Sequence, residues 1–140
     1  MGPMEASEGR LDELIGEAKE ASRHAYCPYS SFPVGAAVLL DDGSVFSGCN
    51  VENSAYGPTM CAERAAIFKA VSERGPSIRI LTVVVYTPTD RPTPPCGPCR
   101  QVISEFGREA RVISVCDGDQ VLRADLPELL PHAFSADQLE

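Results

Sequence analysis

The run IRILTVVVYT, from Ile78 to Thr87, constrains the fold more than any other part of the chain. A near-continuous β-branched stretch has no polar face to give to water, so it reads as a strand covered on both sides. A sheet with such a centre needs helices packed on its faces. The flanking sequence supplies them. From Glu8 to about His24, Leu11, Leu14, Ile15, Ala18 and Ala21 recur at helical spacing and make one apolar stripe, with Pro28 soon after to end it. CAERAAIFKAVSE, Cys61 to Glu73, is rich in helix formers and is closed by Gly75-Pro76. A further helix is predicted from Cys96 to Phe106, stopping at Gly107.

The remaining strands follow from turn chemistry. Val34–Leu40 and Ser44–Asn50 flank Asp41-Asp42-Gly43 and read as a β-hairpin. Val112–Cys116 and Gln120–Arg123 flank Asp117-Gly118-Asp119, and Leu126–Leu130 is a short helical piece. After the first helix the order is β-β-α-β-α-β-β, which predicts an α/β fold with one five-stranded mixed sheet between helices. The last two strands must be antiparallel, because so short a turn cannot make a parallel crossover. The 140 residues fit one domain, 1–140, with about 1–7 and 136–140 as flexible tails.

A formal net charge of −8, from 20 acidic and 12 basic residues, disfavours a phosphate-backbone partner, and no basic run offsets it. No segment is long and apolar enough for a membrane span, and MGPMEASEGR has no signal-peptide pattern. Six cysteines without an export signal point to a reducing, cytoplasmic setting, where metal binding or catalysis outranks disulfides. Cys49 and Cys116 sit in strand-like runs and read as small core residues. Cys27, beside Pro28, carries no assignment.

The other three cysteines open helices. Cys61 starts one and Cys96 with Cys99 the next, in PPCGPCRQV. A helix N-terminus offers free N–H groups and the positive end of the dipole, both of which favour thiolate. Three thiolates aimed at one point suit zinc, and a fourth position left open is the arrangement of a catalytic site. His24 and His132, the only histidines, lack ligand spacing and read as surface or capping residues. Glu63, two residues after Cys61, is either a first-turn glutamate favoured by the dipole or a carboxylate within reach of water and substrate.

CAE (Cys61–Glu63) followed by PCGPC (Pro95–Cys99) resembles the zinc deaminase signature. FPVGAA (Phe32–Ala37), GCNVEN (Gly48–Asn53), PCGPCRQVISEFG and ELLPHAF (Glu128–Phe134) extend the resemblance to the small cytidine deaminases acting on free nucleosides, over nearly the whole chain. That resemblance implies a three-layer α-β-α cytidine-deaminase-like fold and one zinc per subunit, held by Cys61, Cys96 and Cys99. It implies Glu63 as the proton shuttle, Asn50 and Glu52 as ribose ligands, and Phe32 against the pyrimidine. Backbone groups of Ala62 would read the base edge, and Phe134 would complete the pocket of a neighbouring subunit in a homotetramer. Arg64 would hydrogen-bond a ligand sulfur and withdraw charge from it. Residues two apart on a strand share a face, which fits Asn50 and Glu52 gripping one sugar.

The expected reaction is hydrolytic deamination of cytidine and 2′-deoxycytidine to the uridines. A blasticidin-type antibiotic deaminase would share the zinc and the glutamate. A polynucleotide deaminase is disfavoured by the charge and by the short last turn, and a purely structural zinc module by Glu63. Arg100 and Gln101 read as residues that cap or pack the helix, with no catalytic part. Ala65, Ala66, Phe68 and Ala70 form an apolar helix surface available for assembly.

Overall fold

The computed structural model describes residues 9–139. The apolar run forms β3 (Ile80–Tyr86), the middle of five strands in the order β2-β1-β3-β4-β5. Strand β1 (Gly35–Leu40) pairs antiparallel with β2 (Val45–Cys49) and with β3. Strand β4 (Arg111–Val115) runs parallel to β3, and β5 (Leu122–Asp125) returns antiparallel, as the short turn requires. Burial on both faces is visible residue by residue. Val83 and Val85 enter one core and Val84 and Tyr86 the other, with Val83 and Val84 fully inaccessible. Burying each such side chain contributes about 1.5–3 kcal/mol.

One face is covered by α1 (Leu11–Ser22), through Leu14 and Ala18, with Leu11 and Ile15 at the margin. The other is covered by α2 (Ala62–Arg74), α3 (Gly97–Phe106) and the one-turn α4 (Leu126–Leu129), through Ala66, Ile67, Ala70, Ile103 and Leu126. This is the expected α-β-α sandwich. Two glycines set its thickness. A Cβ on Gly35 would lie 1.8 Å from the Ala18 carbonyl oxygen, and one on Gly48 would lie 2.6 Å from the Ala66 nitrogen and 2.8 Å from the Ala62 oxygen. The helices therefore touch the sheet backbone to backbone at those points.

Several expectations are corrected. Ala66 and Ala70 are fully buried against the sheet and cannot serve assembly, since small side chains are what permits the close approach to Gly48. Phe68 remains outward. Strand β5 starts at Leu122 rather than Gln120 because the turn before it is spent on docking. Asp117 N–H donates to the Thr89 carbonyl, and Gly118 lies so close to Asp90 that a Cβ would come 2.2 Å from its oxygen. Strand β2 stops at Cys49, so Asn50 and Glu52 lie beyond it, with Val51 in isolated bridges to Tyr26 and Met60. Cys116 is buried as expected, whereas Cys49 is only half-buried.

The expectation for residues 1–7 lies outside the described residues. Ala136–Leu139 form a 3-10 turn, with Arg108 bonded to Asp137 at 3.0 Å. Among the described residues, no helix is long and apolar enough to cross a membrane.

Candidate active site

Cysteine is a poor helix cap, yet Cys61 and Cys96 occupy the N-cap positions of α2 and α3, and neither sulfur caps its helix. A local rule broken twice marks a functional site. The sulfurs of Cys61, Cys96 and Cys99 lie within 4.8 Å of one another, and those of Cys61 and Cys96 are 3.6 Å apart. Tetrahedral zinc with 2.3 Å bonds needs sulfurs roughly 3.8 Å apart, so the cluster fits the metal. Cys99 is fully buried, Cys61 half-buried and Cys96 exposed, so the centre opens on one side.

Charge leads to the same conclusion. Hydrogen bonding from Cys99, then from Arg64 and Cys96, brings the Cys61 thiol down to about 5. Cys99 is pushed up by its bond to Cys61 and by burial. The trio thus accepts one negative charge easily and resists a second. A divalent cation supplies the charge that lets all three ionise. Arg64 Nη2 donates to Cys61 Sγ at 3.3 Å, as its place after CAE implied. Its Nε is buried without a hydrogen-bond partner, and the guanidinium also faces Cys99.

Beside the sulfurs is a cavity of about 370 Å³ lined by Phe32, Asn50, Glu52, Cys61, Ala62, Glu63 and Cys96. The fold therefore brings together seven of the ten sequence-predicted site residues at its wall, with Arg64 and Cys99 bonded into the sulfur cluster behind. Phe134 is not among the lining residues and is 59% exposed. Glu63 is 4% exposed, and burial first, then the charge of Cys61, raises its carboxyl to about 7. A carboxyl poised there can both take and return a proton near neutral pH. As the first residue of α2, Ala62 has an N–H without an intrahelical partner.

Asn50 and Glu52 lie past the end of β2, so the strand-face argument does not apply to them, and both are bonded into the cavity wall. The Asn50 amide accepts the Val34 N–H at 2.8 Å and donates to the Phe32 carbonyl at 2.9 Å, which fixes the wall carrying the Phe32 ring. One N–H and one lone pair remain for a ligand. Glu52 Oε1 accepts the N–H groups of Tyr29 and Ser30 at 2.9 and 3.2 Å, while Oε2 accepts the Ser30 hydroxyl. The Ser30 hydroxyl, then the two backbone donors, hold its carboxyl below the usual range. Sequence reasoning missed Ser30, Val34, Thr59, Met60, Val85, Thr87, Thr93 and Pro94 in the wall. Thr87 had a signal, since the carboxyl ends of strands are where such folds place ligands.

Residues 9–116 match the family model described as cytidine and deoxycytidylate deaminase zinc-binding region. The chain is 49% identical to a cytidine deaminase of Sporosarcina psychrophila, over 92% of this chain and 94% of the relative. It is 47% identical to one from Halalkalibacterium halodurans, over 90% and 95%. Among solved structures, the cytidine deaminase of Burkholderia pseudomallei superposes with a TM-score of 0.82 at 43% identity, covering 88% of this chain and 98% of that one. The three converging sulfurs are thus those of a known zinc-binding region, and the chain belongs to the cytidine deaminase family.

Proposed function

We propose that this protein catalyses the hydrolytic deamination of cytidine and 2′-deoxycytidine, with Glu63 as the proton carrier. The observation that carries the reading is a buried carboxyl on the wall of a nucleoside-sized cavity, two residues from one of three zinc-ligand cysteines. Zinc held by Cys61, Cys96 and Cys99 supplies Lewis acidity that makes water a nucleophile at neutral pH. Glu63 takes a proton from the attacking water and delivers it to ring N3 as oxygen adds at C4. It then carries the second proton to the exocyclic amine, so that ammonia leaves and uridine remains. The Ala62 backbone reads the base edge, and Phe32 packs on the ring. Asn50 and Glu52 hold the ribose through their remaining hydrogen-bond capacity while fixing the loop that carries Phe32. Arg64 drains charge from the Cys61 sulfur.

The chain acts as a single domain in the cytoplasm, whose reducing environment keeps its six thiols free. It assembles as a homotetramer in which Phe134 completes a neighbour's site. An ultraviolet assay against cytidine, deoxycytidine, cytosine, single-stranded polynucleotide and blasticidin S tests the substrate. Conversion of the two nucleosides with cytosine nearly inert is expected. Equal efficiency on cytosine, or turnover of blasticidin S alone, contradicts it.

A further inference from the structure

Behind the metal-binding lip, two neighbouring side chains of α3 hold backbone carbonyls of other segments. Arg100 Nε donates to the Pro95 carbonyl at 2.8 Å, and its Nη1 donates to the Leu129 carbonyl at 2.9 Å. Pro95 is buried and immediately precedes the ligand Cys96, while Leu129 ends α4. One residue on, Gln101 Nε2 donates to the Phe134 carbonyl at 2.9 Å. Two donors of one rigid planar fork hold these two carbonyls at once, a fixed geometry that the point-like ammonium of a lysine does not reproduce.

The segment they hold needs holding. His132 takes a left-handed backbone conformation, φ 53°, which a non-glycine residue keeps only where its surroundings impose it. Past Phe134, Ser135 N–H and hydroxyl both donate to Gln138 Oε1, and Asp137 pairs with Arg108. The backbone is thus fixed on both sides of a phenylalanine whose ring is left open to solvent. Fixing the backbone while exposing the ring lowers the ordering cost of docking that ring elsewhere.

We infer that Arg100 and Gln101 are positioning residues forming one clamp between the metal-binding lip and the C-terminal arm, so that α3 both holds Cys99 and presents Phe134 to a second copy of this chain. The inference rests on the reading of Phe134 as part of a neighbour's site. It makes each subunit's own metal lip the anchor of the residue it lends.

The test compares Gln101→Glu, Gln101→Lys and Phe134→Ala, alone and as the Gln101→Glu/Phe134→Ala pair, in the zinc-loaded full chain. Gln101→Glu keeps the shape and removes the donor, and it should lower kcat/KM for cytidine about tenfold, chiefly through KM, at unchanged zinc content. Gln101→Lys restores a donor and should recover most of that loss. Adding Gln101→Glu to Phe134→Ala should cost little further, because the clamp acts through the ring. Hydrogen exchange should quicken in residues 130–135 in the Glu variant and not in α1. Additive losses, or wild-type exchange and kinetics in Gln101→Glu beside an impaired Phe134→Ala, overturn the clamp alone. A fully active Phe134→Ala overturns the shared-site reading and the clamp's purpose with it.

Discussion

At the scale of single residues, the site is one in which groups of ordinary chemistry are displaced from ordinary behaviour by their neighbours. Cys99 is the most buried of the three ligand cysteines. Cys99→Ala is expected to lose zinc together with activity, read by metal analysis of the purified protein. Full zinc retention would remove Cys99 from the ligand set. Glu52 is tied to Tyr29 and Ser30 as well as facing the cavity. Glu52→Gln should therefore raise KM for cytidine several-fold while zinc stays at wild-type level, and a KM unchanged within error would separate Glu52 from the sugar. The convergence of the three sulfurs was legible, because Cys61 and the Cys96–Cys99 pair each open a helix; the spacing left Glu63 open between two readings, and only the resemblance separated them. The wall-fixing bonds of Asn50 were not legible. Its partners Phe32 and Val34 are sixteen and more residues away, and only tertiary structure brings their backbone groups to its amide.

At the scale of elements, the position of the site is set by how closely α2 lies on the sheet. The contact at Gly48 is with the Ala62 oxygen and the Ala66 nitrogen, the same turn of helix that carries Glu63 and follows Cys61. Gly48→Ala should push that turn outward and reduce zinc retention and turnover more than global stability. Gly35→Ala meets the Ala18 carbonyl on the opposite face of the sheet. It should lower unfolding free energy by about 1–3 kcal/mol or more, seen as a lower denaturant midpoint at unchanged slope. An unaltered midpoint would mean that α1 can slide without cost. The apolar run, the hairpin turn with Gly43 at positive φ, and the stops at Gly75 and Gly107 could all be read in sequence, since each is a local preference. The start of β5 could not, because it depends on a loop from elsewhere docking on the turn at Gly118.

At the scale of the whole molecule, the exposed Phe134 ring on a fixed arm, together with the outward Phe68, leaves apolar surface that a second copy of the chain would cover. The expected assembly is a tetramer of about 60 kDa, four times 15.0 kDa, with closed symmetry. Light scattering across a dilution series should show mass and specific activity falling together, whereas a fully active 15 kDa species would end the shared-site reading and leave the zinc chemistry standing. That chemistry is tested most directly by following cytidine to uridine in the ultraviolet with wild-type protein and Glu63→Gln at equal zinc content. The wild type should release one ammonia per uridine, and the variant should turn over slower by a factor on the order of 10² or more. Equal rates in the two proteins, or zinc-loaded wild type without turnover, would contradict it.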